Sequence, residues 1–199
     1  MKSLRICPSA LIQLAAPTVL GLLMAVNVSL SRPLADTEPG KCAGADHVFS
    51  GYTAQNPPAP VSGLPFIDAN GDQQRLEQHL GRGVVFNFWA TWCAPCVREI
   101  PQLDRLKALL KPDGIDVVTI SEDRKGVPLV KKFYRVNEIK NLSVDIDEGG
   151  KVLRDSKVRG LPMTLLINAQ GLEIGRVQGI SEWDSKNVVA FLRRCLKPS

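Results

Sequence analysis

Two cysteines separated by two residues, Cys93 and Cys96 in Trp92-Cys93-Ala94-Pro95-Cys96, carry the strongest chemical signal in this 199-residue chain. They follow the apolar run Val84-Val85-Phe86-Asn87-Phe88-Trp89 and open a segment with helical spacing. A strand that passes through C-x-x-C into a helix sets the first sulfur at the helix N-terminus. Unpaired N–H groups and the positive end of the helix dipole favour a thiolate there over a thiol. The second sulfur lies one turn on, close enough to close a small disulfide ring. The pattern points to dithiol–disulfide exchange, with Cys93 attacking and Cys96 resolving the mixed disulfide.

Other uses of C-x-x-C fit less well. A structural zinc needs four ligands. The remaining cysteines (Cys7, Cys42 and Cys195) and the two histidines (His47 and His79) form no second close pair. Val97 follows Cys96, which excludes C-x-x-C-H haem attachment, and no P-x-x-x-[ST]-x-x-C precedes either cysteine as a peroxidase would require. Copper delivery through the pair needs a further soft or imidazole ligand, and the chain has no Met-rich run to supply one. No metal and no cofactor is expected.

The elements that must position this pair follow from hydrophobic period and turn residues. A hairpin is expected from 64–68 with its turn at Asn70-Gly71, then a short helix over 73–80. Residues 83–90 form the central buried strand, and 93–110 a helix stopped by Pro112 and Gly114. A strand over 115–121, a helix over 127–136, a strand over 142–146 and a short helix over 151–158 come next. Strands 163–168 and 173–178 flank the turn Asn168-Ala169-Gln170-Gly171, and a helix over 184–196 closes the chain. Alternating strands and helices imply an α/β fold with a mixed sheet covered on both faces.

The residues Phe88-Trp89-Ala90-x-Trp92-Cys93-x-Pro95-Cys96, with Pro101 five positions after Cys96, resemble the thioredoxin superfamily. Val158-Arg159-Gly160-Leu161-Pro162-Met163-Thr164 resembles the segment that carries the superfamily's cis-proline, which packs on the redox pair and offers backbone groups to a substrate peptide. An extra strand and helix, roughly 127–146, lie ahead of that hairpin. That arrangement resembles the extracytoplasmic TlpA, ResA and CcmG group over 64–196, and Ser121-Glu122-Asp123-Arg124 and Glu182-Trp183-Asp184 within it most resemble the TlpA proteins. The resemblance implies a thioredoxin-like fold: a central mixed β-sheet flanked by helices, with a strand–helix insertion before the cis-proline hairpin. It also implies a specific reductant of disulfide-bearing client proteins in cytochrome biogenesis, fed by a transmembrane electron carrier. An oxidase or isomerase would use the same residues in the reverse direction.

Roles follow on this sequence's own positions. Trp92, Pro95 and Leu161 are expected to contact substrate, and Pro162 to be the cis-proline. Asn87 stands where thioredoxin itself has a buried aspartate, and it cannot take up a proton. Glu99 matches a glutamate of the TlpA and ResA group and shares a helical face with Cys96. It is a candidate acid/base, so Glu99→Gln is expected to change the pH dependence of exchange more than stability. The alternative is a first-turn acid favoured by the helix dipole.

The N-terminus reads as an export element. Lys2 and Arg5 precede a mostly apolar stretch over 11–30, and a helix of that length rises about 30 Å. An uncleaved anchor over 1–35 is favoured, with a cleaved signal as the alternative, and either one places the following domain outside the cytoplasm; the resemblance implies the inner membrane and its periplasmic side. Residues 36–62 read as a Pro/Gly-rich linker without helical or strand period, and 63–199 as the thioredoxin-like domain. Residues 1–35 hold three of the 25 basic residues and no acid, leaving 22 basic against 20 acidic, or +2. That balance argues against nucleic acid as a partner, and a monomer is expected. In an oxidising compartment Cys42 and Cys195 can pair as a structural disulfide, or stay apart as a linker thiol and a core residue. The sequence leaves both open.

Overall fold

The run 84–89 lies in a strand whose seven residues are all buried, as expected of a central strand covered on both faces. In a computed structural model the chain is described over residues 41–198. In chain order the elements are α1 (Ala45–Val48), β1 (Tyr52–Pro60), β2 (Phe66–Ile67), β3 (Gln73–Gln74), β4 (Gly83–Trp89), α2 (Ala94–Leu110) and β5 (Ile115–Ser121). They continue with α3 (Gly126–Val136), β6 (Asp145–Ile146), α4 (Lys151–Asp155), β7 (Met163–Ile167), β8 (Leu172–Gln178) and α5 (Lys186–Leu196). The strands form one sheet of order β1-β8-β7-β4-β5-β6-β2-β3. β4 pairs in parallel with β5 and antiparallel with β7, so the sheet is mixed.

Alternation along β4 feeds two cores. Val85 and Trp89 face a cluster closed by α2, α3 and α5, which supply Ile100, Leu103, Tyr134 and Leu192. Val84, Phe86 and Phe88 face a second cluster with Phe66, Val152 of α4 and Leu165. α2 buries Cys96, Glu99, Ile100, Leu103, Asp104, Leu106 and Leu110, a helical stripe along its inner side.

Several boundaries differ from the sequence reading. Part of the expected linker is structured: α1 forms at 45–48, and β1 pairs antiparallel with β8 at the edge of the sheet. Pro57, Pro58 and Pro60 hide this strand, because a proline-rich run without alternation reads as a spacer. An edge strand tolerates them where no ladder donor is needed. The register indeed shifts between Ala54 and Ala59, across a cis Asn56–Pro57 bond. The expected helix over 73–80 shrinks to a 3-10 turn at Leu76–His79, since Gln73 and Gln74 pair with β2. The expected strand over 142–146 shrinks to β6. The backbone N–H groups of Lys140, Asn141 and Leu142 go instead to the carboxylate of Asp104 on α2. The helix expected over 151–158 stops at Asp155, and Lys157 beyond it takes a positive φ of 56°.

The N-terminal anchor or signal and Cys7 lie outside the described residues. No helix among the described residues is long and apolar enough to cross a membrane.

Candidate active site

α2 begins with its own redox pair. Cys93 is the N-cap in extended conformation, and its Sγ accepts the backbone N–H of Cys96 at 3.3 Å. Pro95 stands in the first turn, where a missing N–H costs nothing. Cys93 and Cys96 form a disulfide with Cα atoms 5.2 Å apart. They are 7% and 1% exposed, whereas the neighbouring Trp92 is 68% exposed. The exposed Trp92 indole thus stands next to a covered sulfur pair.

The turn before Cys93 is held by a group that the sequence reading did not single out. Buried Asp123 accepts the Thr91 N–H at 2.8 Å, the Thr91 hydroxyl at 2.7 Å and the Ser121 hydroxyl at 2.8 Å. The loop after β5 is thus fastened to the loop after β4. In the sequence, Ser121-Glu122-Asp123 shows this role only through its place in a resemblance to related proteins.

Across the site, the Leu161–Pro162 bond is cis. The Pro162 carbonyl is occupied by the Gly179 N–H and the Gln178 side chain, both at 3.0 Å. The N–H and C=O of Leu161 have no hydrogen-bond partner among the described residues. The free backbone groups beside the pair therefore belong to Leu161 rather than Pro162. Asn87 lies buried in β4 and donates its side-chain N–H to Thr164 Oγ1 at 2.9 Å.

Two acids near the pair are unusual. Glu99 is 2% exposed, and its Oε1 accepts both the Ser181 N–H and the Trp183 indole N–H at 2.7 Å. Its Oε2 is buried without a partner. Burial pushes this carboxyl up to about 7, against the two hydrogen bonds and the charge of Arg98. The side chain thus turns toward the segment after β8, and no hydrogen bond joins it to Cys96 among the described residues. Glu122, half-buried, is pushed up to about 8, first by burial and then by the charge of Asp147 and a hydrogen bond with it. Asp147 itself accepts the Lys151 and Leu153 N–H groups at the start of α4, both at 2.8 Å. Glu122 was not among the expected site residues, because its partner lies 25 positions away on another loop.

Cys42 and Cys195 are joined by a disulfide, with Cα atoms 4.7 Å apart. It ties the segment before α1 to α5, next to hydrogen bonds from Arg194 to the carbonyls of Lys41 and Ala43.

A mixed sheet flanked by helices, with a C-x-x-C pair heading α2 and a cis-proline hairpin beside it, defines a protein of the thioredoxin-like class. The chain belongs to the AhpC/TSA family, whose model matches residues 56–172, more than half of its length. It is 33% identical over 112 residues to the thiol-disulfide oxidoreductase ResA of Bacillus thuringiensis subsp. konkukian, covering 56% of this chain and 64% of that one. The chain therefore spans just under two thirds of that curated relative. With the ResA of Bacillus subtilis it shares 32% identity over 134 residues, 66% of this chain and 73% of that one. Among solved structures, the exposed lipoprotein thioredoxin Etrx1 of Streptococcus pneumoniae superposes with a TM-score of 0.56 at 26% identity, covering 67% of this chain and 98% of that one.

Proposed function

We propose that this protein is a thiol–disulfide oxidoreductase that reduces disulfides of client proteins on the periplasmic side of the inner membrane, in cytochrome biogenesis. The observation that carries the chemistry is the Cys93–Cys96 pair at the head of α2, with the Cys96 N–H directed at the Cys93 sulfur. That N–H donates equally well to a thiolate, which stabilises the attacking form.

In the reduced protein, the Cys93 thiolate attacks one sulfur of a client disulfide. The client's S–S bond breaks, and its second sulfur leaves as a thiolate that takes up a proton. Cys96 then loses its proton and attacks Cys93 Sγ. This closes the 93–96 bond and releases the client's first sulfur. Two electrons pass to the client, and the protein ends as the disulfide. Return to the dithiol needs an outside reductant, for which a transmembrane electron carrier is the expected source. In this reading Trp92, Pro95 and the Leu161 backbone meet the client, and Glu99, on the same face of α2 as Cys96, holds or gives up a proton; the exposure of Trp92 and the raised carboxyl of Glu99 support it. The likeness to ResA supports the thiol–disulfide chemistry, and the reductant direction and the setting rest on the resemblance to the TlpA, ResA and CcmG group.

The test is the reduction potential of the Cys93–Cys96 pair, measured by equilibration against dithiothreitol or glutathione. A value near or below about −270 mV is expected of a reductant. A value closer to about −120 mV assigns the protein to disulfide formation and overturns the direction proposed.

A further inference from the structure

Next to Trp92 and Cys93 the surface opens into a cavity of about 1,210 Å³, bounded by the loop after β5 on one bank and by residues 147–161 on the other. Its charged lining divides by exposure. Arg124 and Lys125 on the first bank and Arg154 and Arg159 on the second all stand exposed. Among the described residues, none of Arg124, Lys125 and Arg159 has an ion-pair or hydrogen-bond partner, and Arg154 donates to the Gly149 carbonyl at 2.7 Å.

The acids of the same lining are committed elsewhere. Asp123 and Asp147 are each 3% exposed and spend both carboxylate oxygens on the hydrogen bonds already described. Glu122 is half-buried and keeps its proton around neutrality. Only Glu148 presents an exposed carboxylate. A partner reaching Cys93 therefore meets four exposed cations against one exposed carboxylate, with the hydrogen-bonded carboxylates of Asp123 and Asp147 lying beneath the surface, although residues 36–199 carry a net charge of only +2. A concave site rimmed by one sign of charge concentrates the opposite sign and speeds its association.

We propose that this rim selects clients whose disulfide is flanked by acidic residues. The client's sulfur pair sits over Cys93. Its Asp or Glu side chains fall between Arg124 and Lys125 on one side and Arg154 and Arg159 on the other, and its apolar part rests on the Trp92 indole. The inference rests on the oxidoreductase reading and adds the chemistry of the client.

The experiment uses the full chain, reduced, and three short peptides closed by one internal disulfide, identical except that the flanking residues are all Glu, all Gln or all Lys. Each rate constant is divided by the same peptide's rate with dithiothreitol at about 1 M salt, where screening removes the effect of the peptide's charge on the attacking dithiothreitol thiolate, so that only the peptide's own reactivity cancels. At about 10 mM salt the Glu peptide is expected to react at least ~10-fold faster than the Lys peptide, with the Gln peptide between them. At about 1 M salt, where the Debye length is about 3 Å, the spread should fall below ~2-fold. The triple change Arg124→Glu, Lys125→Glu and Arg159→Glu is expected to invert the order. Equal rates for all three peptides at low salt, or a preference for Lys, overturn the acidic-client proposal and leave the redox reading standing. If even the Gln peptide is not reduced, both fall.

Discussion

Glu99→Gln tests the buried acid with the largest expected signature. The carboxyl of Glu99 is 2% exposed and lies at about 7 in the folded protein, against an ordinary 4.5. At about 1.36 kcal/mol per pH unit, this gap makes ionisation cost the fold ~3 kcal/mol. Below about pH 4.5 both the folded and unfolded states hold the proton, and the fold keeps its full stability. Between about 4.5 and 7 the unfolded chain releases the proton first, so stability falls as pH rises, and above 7 the whole penalty applies. Glutamine retains an oxygen for the Ser181 and Trp183 N–H groups but carries no charge. Its amide N–H groups replace an oxygen that has no partner, at a cost of ~1–2 kcal/mol at every pH. Wild type should therefore be the more stable at pH 5, and the variant should draw level or pass it by pH 8. Urea unfolding of both proteins at intervals between those values measures the difference. Glu122 and Asp145, also raised by burial, titrate in both proteins and cancel from it. A wild-type-minus-variant difference that stays flat within ~0.5 kcal/mol refutes the assignment. The same variant should move the pH dependence of disulfide exchange near 7, because a buried acid on the Cys96 face of α2, raised to about 7, is gone. The sequence reading placed the larger effect on exchange, whereas the burial of Glu99 adds a stability change of comparable weight.

Three further outcomes are expected. Replacing Cys42 and Cys195 by serine opens a loop of 153 residues' separation and should lower unfolding free energy by up to ~5 kcal/mol on the chain-entropy account; three free thiols in the denatured, oxidised full chain, Cys7 among them, would show that the bond is absent. Asp104→Ala removes a buried carboxylate that accepts three backbone N–H groups and the Asn141 side chain, so the denaturant midpoint should fall by the equivalent of ~2–4 kcal/mol; an unchanged midpoint counts against this anchoring. Asp123→Ala frees the Thr91 turn and should slow exchange ~10- to 100-fold through misplacement of Cys93; a wild-type rate in a folded variant would show that the turn holds itself.

What could be read in advance divides along physical lines. β4 was legible because a central strand is a near-continuous apolar run, broken here only by Asn87, β5 because its apolar residues alternate with polar ones, and α2 because a stripe of inward residues starts at a cysteine pair with proline in the first turn. Those features are local in sequence, and they fixed the redox pair and its helix. β1 was not legible. Its place comes from pairing with β8 more than 100 residues away, and its prolines are permitted only because the sheet ends there. The same distinction governs the site. That Glu99 lies on the face of Cys96 follows from a spacing of three. That it is buried and hydrogen-bonded depends on Ser181 and Trp183, brought in by the turn after β8. Asp123, Asp104 and Glu122 each act on a loop distant in sequence, and nothing in their immediate neighbours distinguishes them from solvated surface acids. Such carboxylates become recognisable only when the backbone N–H groups they must satisfy are known. The cationic rim follows the same logic, because Arg124 and Arg159 stand 35 positions apart, and only the fold brings them to one cavity with Asp123 and Asp147 buried beneath it.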